Sequence, residues 1–360
     1  MIGFTLTDEQ KMLVEAVGSY AKSDLRPAAH EAEEGRQLPS KLIKRGWELG
    51  ILQASVPGGY GGFGDHSTVT SALAAEALAF GDLAGALAVL TPSLFVTPLL
   101  LAGAEAQKQH FIPPVIEADW KPYSAALIES SYDFDPNDLK TTARLDGADY
   151  VLDGTKTCVP YAAEAETLIV YARLDGETRA FIVPSKAQGL AVSERIKLMS
   201  LNALPLYDLT LTGVRVPLAN KLDGDFTTIL ASMRVTNAAL ALGVAQAAFE
   251  YARDYAKERE AFGGKIAQKQ AIAFMLAEMA TEIEVARLLT WEAAWKLDTA
   301  KPDASTAAYF AGIGAADMAM LVTDRAVQIL GGHGYVRDHP VEMWMRNGRG
   351  FASFTGLSIL

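Results

Sequence analysis

The feature that most constrains this fold is a double switch of hydrophobic period. Up to about residue 119 apolar residues recur at helical spacing, from Tyr123 to Val216 they fall in short alternating runs, and from Phe226 onward the helical spacing returns. A period near 3.6 buries one stripe of a helix and a period of 2 buries one face of a strand. A chain that changes period twice therefore builds helical, β and helical layers in that order. The expected class is α+β, with an N-terminal helical domain over 1–119, a middle antiparallel β-domain over 120–224 and a C-terminal four-helix bundle over 225–360.

Local signals place the elements. Thr7-Asp8-Glu9-Gln10 is a capping box, and Met12, Leu13, Ala16, Val17 and Tyr20 follow at helical spacing, which predicts a helix over 8–25 closed by Pro27. Pro39 precedes a short helix over 41–49. The run from Pro57 to Gly64 has neither the preceding strand nor the lysine of a nucleotide-binding loop, and reads as a packed interdomain turn. Helices over 68–80, 83–90 and 105–111, with the run to Glu117, complete the first domain. The apolar stretch 83–103 holds Pro92 and Pro98, which suits a buried helix pair better than a membrane span. Strands are expected over 141–145, 150–152, 167–171, 179–183 and 207–211, parted by Asp-Gly turns and closed by Pro217. Four helical segments follow, over 226–262, 266–299, 306–330 and 339–351.

Composition bounds the partners. A net charge of −11 argues against a nucleic-acid surface, which needs a basic footprint, and favours a small molecule or a protein. Cys158 is the only cysteine, so no internal disulfide forms and a cytosolic setting is expected. Residues 1–10 lack the basic region and apolar run of a secretory signal.

Between the first two bundle segments lies a corner, Arg259-Glu260-Ala261-Phe262-Gly263-Gly264. Arginine pairs bidentately with phosphate oxygens and an aromatic ring packs on a flat heterocycle, so this corner can grip a nucleotide. It can equally be a solvated turn between core helices, and the corner by itself leaves both readings open.

The three-part order resembles the acyl-CoA dehydrogenase family over essentially the whole chain. The residues that carry the resemblance are Arg259 to Gly263, the run Gln270 to Met279, the run Gln328-Ile329-Leu330-Gly331-Gly332-His333-Gly334-Tyr335, then Pro340-Val341-Glu342 and Arg346. Members carry FAD and remove two hydrogens from the α and β carbons of an acyl-CoA; a glutamate takes the α proton and the flavin takes the β hydride. The resemblance implies that Arg259, Phe262, Gln270, Gln328, Gly331 and Gly332 hold the ADP half of an FAD that belongs largely to a neighbouring subunit. It also implies an acyl-CoA substrate and an electron-transfer flavoprotein partner.

The rest of the family pattern is absent. The loop that holds the flavin ring reads Ile128-Glu129-Ser130-Ser131-Tyr132-Asp133-Phe134-Asp135, and the strand end beside it reads Cys158-Val159-Pro160-Tyr161. Ile128, Phe134 and Pro160 stand where hydroxyls are usual and Cys158 where a tryptophan is usual, and none of the four supplies the missing donor. Cys158 lacks a neighbouring cation or second cysteine and reads as a small packed residue. The usual base positions hold Thr355 and Met233, neither of which accepts a proton at neutral pH, so no catalytic residue is assigned. Leu357 and Ile359 replace a nucleotide-binding threonine and glutamine. His333 reads as a local hydrogen-bonding residue, Glu129 as structural, and Glu250, Glu278, Glu282 and Glu284 as solvated or interhelical.

A kept ADP grip with a lost ring pocket and base fits the non-catalytic subunit of a heteromeric acyl-CoA dehydrogenase. Such two-gene α2β2 enzymes occur in the family, notably among members acting on CoA thioesters of steroid side chains. The alternatives are a homomeric flavin-dependent oxidase or monooxygenase on the same scaffold, and a flavin-free binding or assembly protein.

Overall fold

The computed structural model describes residues 5–117 and 119–360. Residues 1–4, on which the reading of the amino terminus partly rests, and Ala118, inside the first expected domain, lie outside the described residues.

Helix α1 (Asp8–Tyr20) starts at the expected capping box: the Thr7 side chain accepts from Gln10 N, and the Gln10 side chain accepts from Thr7 N. Pro27 does not end the helix, contrary to expectation. The chain passes through one π turn, Ala21–Leu25, into α2 (Arg26–Gly35), with the proline in the first turn of α2. The wider turn shifts the hydrogen-bond ladder ahead of the proline, so the absent N–H falls where the ladder is already irregular. Then come α3 (Ser40–Trp47), α4 (Thr68–Gly81), α5 (Leu83–Leu90), α6 (Ser93–Ala102), α7 (Glu105–Phe111) and α8 (Pro113–Ile116). Helices α5 and α6 are bent against each other by 53° and almost wholly buried. The glycine-rich turn is packed, yet not between domains: a Cβ on Gly62 would lie 2.0 Å from the Val56 carbonyl oxygen, a partner inside the same domain.

The middle domain is a seven-stranded sheet of β1 (Ser124–Ala126), β2 (Thr142–Asp146), β3 (Asp149–Pro160), β4 (Thr167–Leu174), β5 (Glu177–Pro184), β6 (Leu190–Val192) and β7 (Leu206–Pro217). Strand order is β1-β4-β2-β3-β7-β6, with β5 on β4. The sheet is not wholly antiparallel as expected, because β1 and β2 both meet β4 in parallel. Alternation along a strand reports which face is buried and carries no information on the direction of its neighbour. Strands β1 and β6 are three residues each, too short to show a period, and were not anticipated.

The last part holds α9 (Phe226–Glu258), α10 (Gln270–Asp298), α11 (Ala304–Leu330) and the short α12 (Val341–Gly350). The bundle also recruits a helix from the first domain. Gly243 on α9 brings α4 close, since a Cβ there would sit 2.3 Å from the Glu76 carbonyl oxygen. Helix α9 and the continuous stretch Ala304–Tyr335 are each long and apolar enough to cross a membrane by length and composition. The apolar window of α9 is 89% buried inside the protein, that of Ala304–Tyr335 only 39%. Phe274, Leu288, Phe310 and Ile313 on α10 and α11 remain exposed.

Candidate functional site

The expected nucleotide corner is a tight hairpin rather than an open turn. Two-residue strands β8 (Glu260–Ala261) and β9 (Gly264–Lys265) pair antiparallel, and the turn is made by Phe262 and Gly263, with φ of 53° and 81°. A two-residue hairpin loop with both φ values positive favours Asn-Gly, so a phenylalanine at its first position is strained by about 1 kcal/mol or more. Its ring is 95% exposed, so burial does not compensate for that strain. Lys269 Nζ caps the Phe262 carbonyl at 3.0 Å, and Lys265 pairs with Glu260 at 2.9 Å. The Arg259 side chain is exposed and makes no hydrogen bond or ion pair among the described residues.

Packing brings the glycine run to this corner. Tyr255, one turn before Arg259, shares a 2.9 Å hydrogen bond with His333 Nδ1, and Tyr251 shares one of 2.7 Å with His339 Nδ1. His333 is thus a local hydrogen-bonding residue, as read from the sequence. Gln328 lies exposed in the last turn of α11, immediately before Gly331 and Gly332, and Gln270 lies exposed in the first turn of α10. An ion pair between Glu278 and Arg325 joins α10 to α11 near this end of the bundle. A Cβ on Gly331 or Gly332 would meet no atom within 4 Å, so the backbone there is open to close approach from outside. Arg259, Phe262, Gln270, Gln328, Gly331 and Gly332 accordingly share one exposed end of the bundle. Free cation, bare ring, amide groups and open backbone are a donor set that suits the phosphates and base of a nucleotide.

The second expected half-site is mostly withdrawn into packing, although Phe134 is half-buried at the edge of a cleft. Pro160 is buried, and Ile128 and Cys158 pack partly buried against the main core. Burial pushes the Cys158 thiol above its ordinary value, against the weaker effect of a Thr157 hydrogen bond, so the thiolate is disfavoured. Glu129 is structural as expected. It receives the backbone N–H groups of Lys140 and Thr141 at 2.7 and 2.9 Å and the buried ammonium of Lys156 at 2.8 Å. Burial opposes its ionisation, but these partners hold Glu129 below the usual carboxylate range, while burial brings Lys156 down to about 8. Leu357 and Ile359 are core residues. Gly356 packs on this region too, as a Cβ there would lie 3.1 Å from Leu127 and 3.3 Å from Ile128.

The two base positions part company. Met233 is fully buried in an apolar cluster with Leu230, Leu127 and Ile359. Thr355 lines a cleft of about 270 Å³ between α9, α11 and the segment 351–355. Arg234, Asn237, Phe134, Tyr309, Ile313 and Asp317 also line it. Sequence reasoning missed Asn237, Tyr309 and Asp317, although Arg234 and Asn237 are three apart on α9, and Tyr309, Ile313 and Asp317 recur at four-residue steps on α11. Polar residues on a bundle helix look like a solvated face until the facing element is known. The carboxylates expected on helix faces behave as read: Glu278 pairs with Arg325, Glu284 with Arg287, and Glu250 with the Gln246 amide.

Three family models cover the chain: "Acyl-CoA dehydrogenase, N-terminal domain" matches residues 7–119, the middle domain 124–214 and the C-terminal domain 225–358. A probable acyl-CoA dehydrogenase of Bacillus subtilis is 36% identical over 365 residues, 97% of this chain and 94% of that protein. A 3-(aryl)acrylate reductase of Clostridium sporogenes is 33% identical over 367 residues, 98% of this chain and 96% of the relative. Among solved structures, butyryl-CoA dehydrogenase from Megasphaera elsdenii matches with a TM-score of 0.89 and 32% identity, covering 99% of this chain and 96% of that one.

Proposed function

The chain belongs to the acyl-CoA dehydrogenase family, FAD-dependent oxidoreductases, and on that premise we propose that it is a subunit without a base of its own, lending its ADP-binding corner to the FAD of a partner subunit. The partner is a related acyl-CoA dehydrogenase chain that keeps the glutamate and the flavin-loop threonine. One contrast carries this reading. The six corner residues are exposed together with Arg259 unpaired, whereas the base positions hold a buried methionine and a threonine.

In that assembly Arg259 pairs with the pyrophosphate, Phe262 packs on the adenine, Gln270 and Gln328 offer amide hydrogen bonds, and Gly331 and Gly332 let the backbone approach the phosphates. Bound FAD supplies the hydride acceptor; this chain supplies position and charge complementarity. The exposed apolar residues of α10 and α11 suit a subunit interface, and an electron-transfer flavoprotein suits the reoxidation of the assembly. A cytoplasmic location goes with this role.

The test is to purify the chain alone and together with a second family member encoded beside it, then to measure bound flavin and acyl-CoA dehydrogenation. Flavin and turnover are expected only in the mixed assembly. Full flavin and turnover from the chain alone would sink the proposal.

One observation favours a second reading, a homomeric enzyme. Asp317 brings a carboxylate to the cleft that Thr355 lines. If the lone chain turns over, Asp317→Asn should abolish it in this reading and leave flavin content unchanged.

A further inference from the structure

A cavity of about 420 Å³ lies where α2, α9 and the start of α12 meet, and neither half-site of the cofactor uses it. Arg26 and Ala29 line it from α2, Tyr251 from α9, and Pro340, Met343 and Trp344 from the segment that enters and forms α12. Arg26 is half-buried. Its guanidinium carbon lies 4.0 Å from the Phe80 ring centroid and 5.2 Å from that of Trp344, and one terminal nitrogen donates to the Phe80 carbonyl. Its Nε is buried and meets no acceptor, and no carboxylate pairs with it among the described residues.

Two carboxylates lie near without filling that place. Asp82 is buried and caps α5, accepting from Gly85 N at 2.7 Å, and Glu250 accepts from the Gln246 amide at 2.8 Å. Burial lowers the pKa of Arg26, and the charges of Glu250 and Asp82 offset this only in part. A guanidinium withdrawn from water without its own anion is costly, and a carboxylate meets it bidentately.

The rest of the lining limits what such an anion can be. At the rim Arg337 is exposed and paired with Glu34, Asp338 is exposed, and the exposed His30 adds an imidazole. Arg26 is thus left as the unpaired guanidinium of the cavity, which matches a single negative charge. A phosphate monoester or a nucleotide would bring further negative charge toward Asp338. Pro340, Met343 and Trp344 form an apolar wall, and the Nε1 of Trp344, itself 2% exposed, also has no acceptor among the described residues.

We propose that this cavity binds a small monocarboxylate with a compact apolar body, its carboxylate on Arg26 and its body against Pro340, Met343 and Trp344. The volume falls within the ~300–1,000 Å³ typical of small-molecule sites. The site is formed by this chain alone and stands whether or not a partner subunit uses the Arg259 corner.

Calorimetric titration of the purified chain at low salt with phenylacetate, phenylacetamide and inorganic phosphate tests it. Phenylacetate should bind saturably at one site per chain, and phenylacetamide, which lacks the charge, about ten- to a hundredfold more weakly. Phosphate at the same concentrations should not displace phenylacetate. Asp338→Lys puts a cation in place of an exposed rim carboxylate and should tighten phenylacetate binding several-fold, with a wild-type melting temperature. Arg26→Lys should keep part of the affinity and Arg26→Met should remove it. No saturable binding by the wild-type chain overturns the site. Equal affinity for the amide, or displacement by phosphate, overturns the assignment to an apolar monoanion. Unchanged affinity in Asp338→Lys overturns the location, a result that does not depend on whether Arg26→Met folds. The titration reads neither flavin nor turnover, so its result is separate from that of the Arg259 corner.

Discussion

The exposed end of the bundle and the interior around Ile128 and Pro160 are both made of positions that the family pattern assigns to one cofactor, yet their physical states are opposite. At the first, Arg259 is unpaired among the described residues, Phe262 is strained and bare, and a Cβ on Gly331 or Gly332 would meet no atom within 4 Å. At the second, Leu357 and Ile359 are core residues, Pro160 is buried, and Ile128 and Cys158 are half-buried against the core. A group that the chain leaves unsatisfied on its surface is available to something else. A group taken into the core has been turned to packing and can be changed only at the expense of stability.

That contrast can be broken most forcefully from the inside. Removing the partner of a buried cation leaves it uncompensated, so Glu129→Ala should destabilise the chain by about 3–5 kcal/mol in denaturant unfolding. Glu129→Leu combined with Lys156→Met should recover most of the loss. A Glu129→Ala midpoint equal to wild type would mean the interior half is not the rigid core described.

The exposed half should respond in ligand binding and not in stability. Arg259→Ala should lower FAD retention by the mixed assembly about ten- to a hundredfold, as for a lost charge-assisted phosphate contact. The melting temperature of the chain alone should stay unchanged, and a parallel fall in both would assign the arginine to folding. Phe262→Gly sharpens the point with opposite signs. Relieving the left-handed backbone should stabilise the chain by up to about 1 kcal/mol, while FAD retention falls several-fold. The smallest effect belongs to the cleft: Thr355→Val should leave turnover of the mixed assembly within about twofold, since a threonine hydroxyl is no base at neutral pH. A large loss would place Thr355 in the chemistry.

Much of the frame was legible in the sequence because it is written in local terms. The capping box at Thr7, the starts of α9 and α12 and the glycine-marked end of α11 follow from residues within a few positions of each other. The parallel pairing of β1 with β4 was not legible, since a three-residue strand has no period and its partner lies more than forty positions away (Ser124 opposite Leu168). Nor was the passage through Pro27, because a π turn leaves no residue signature of its own.

By itself the sequence determined the order of layers, the cluster of nucleotide-binding residue types near Arg259 and the absence of a carboxylate at Thr355 and Met233. Only the tertiary structure decided which of these groups are free. Burial and pairing are set by what lies opposite a residue, and Arg234 and Asn237 on one helix come to line one cleft with Asp317, at least 80 positions further along the chain, on another. Side-chain identity fixes what a group can donate or accept, and packing decides whether anything inside the protein already uses it.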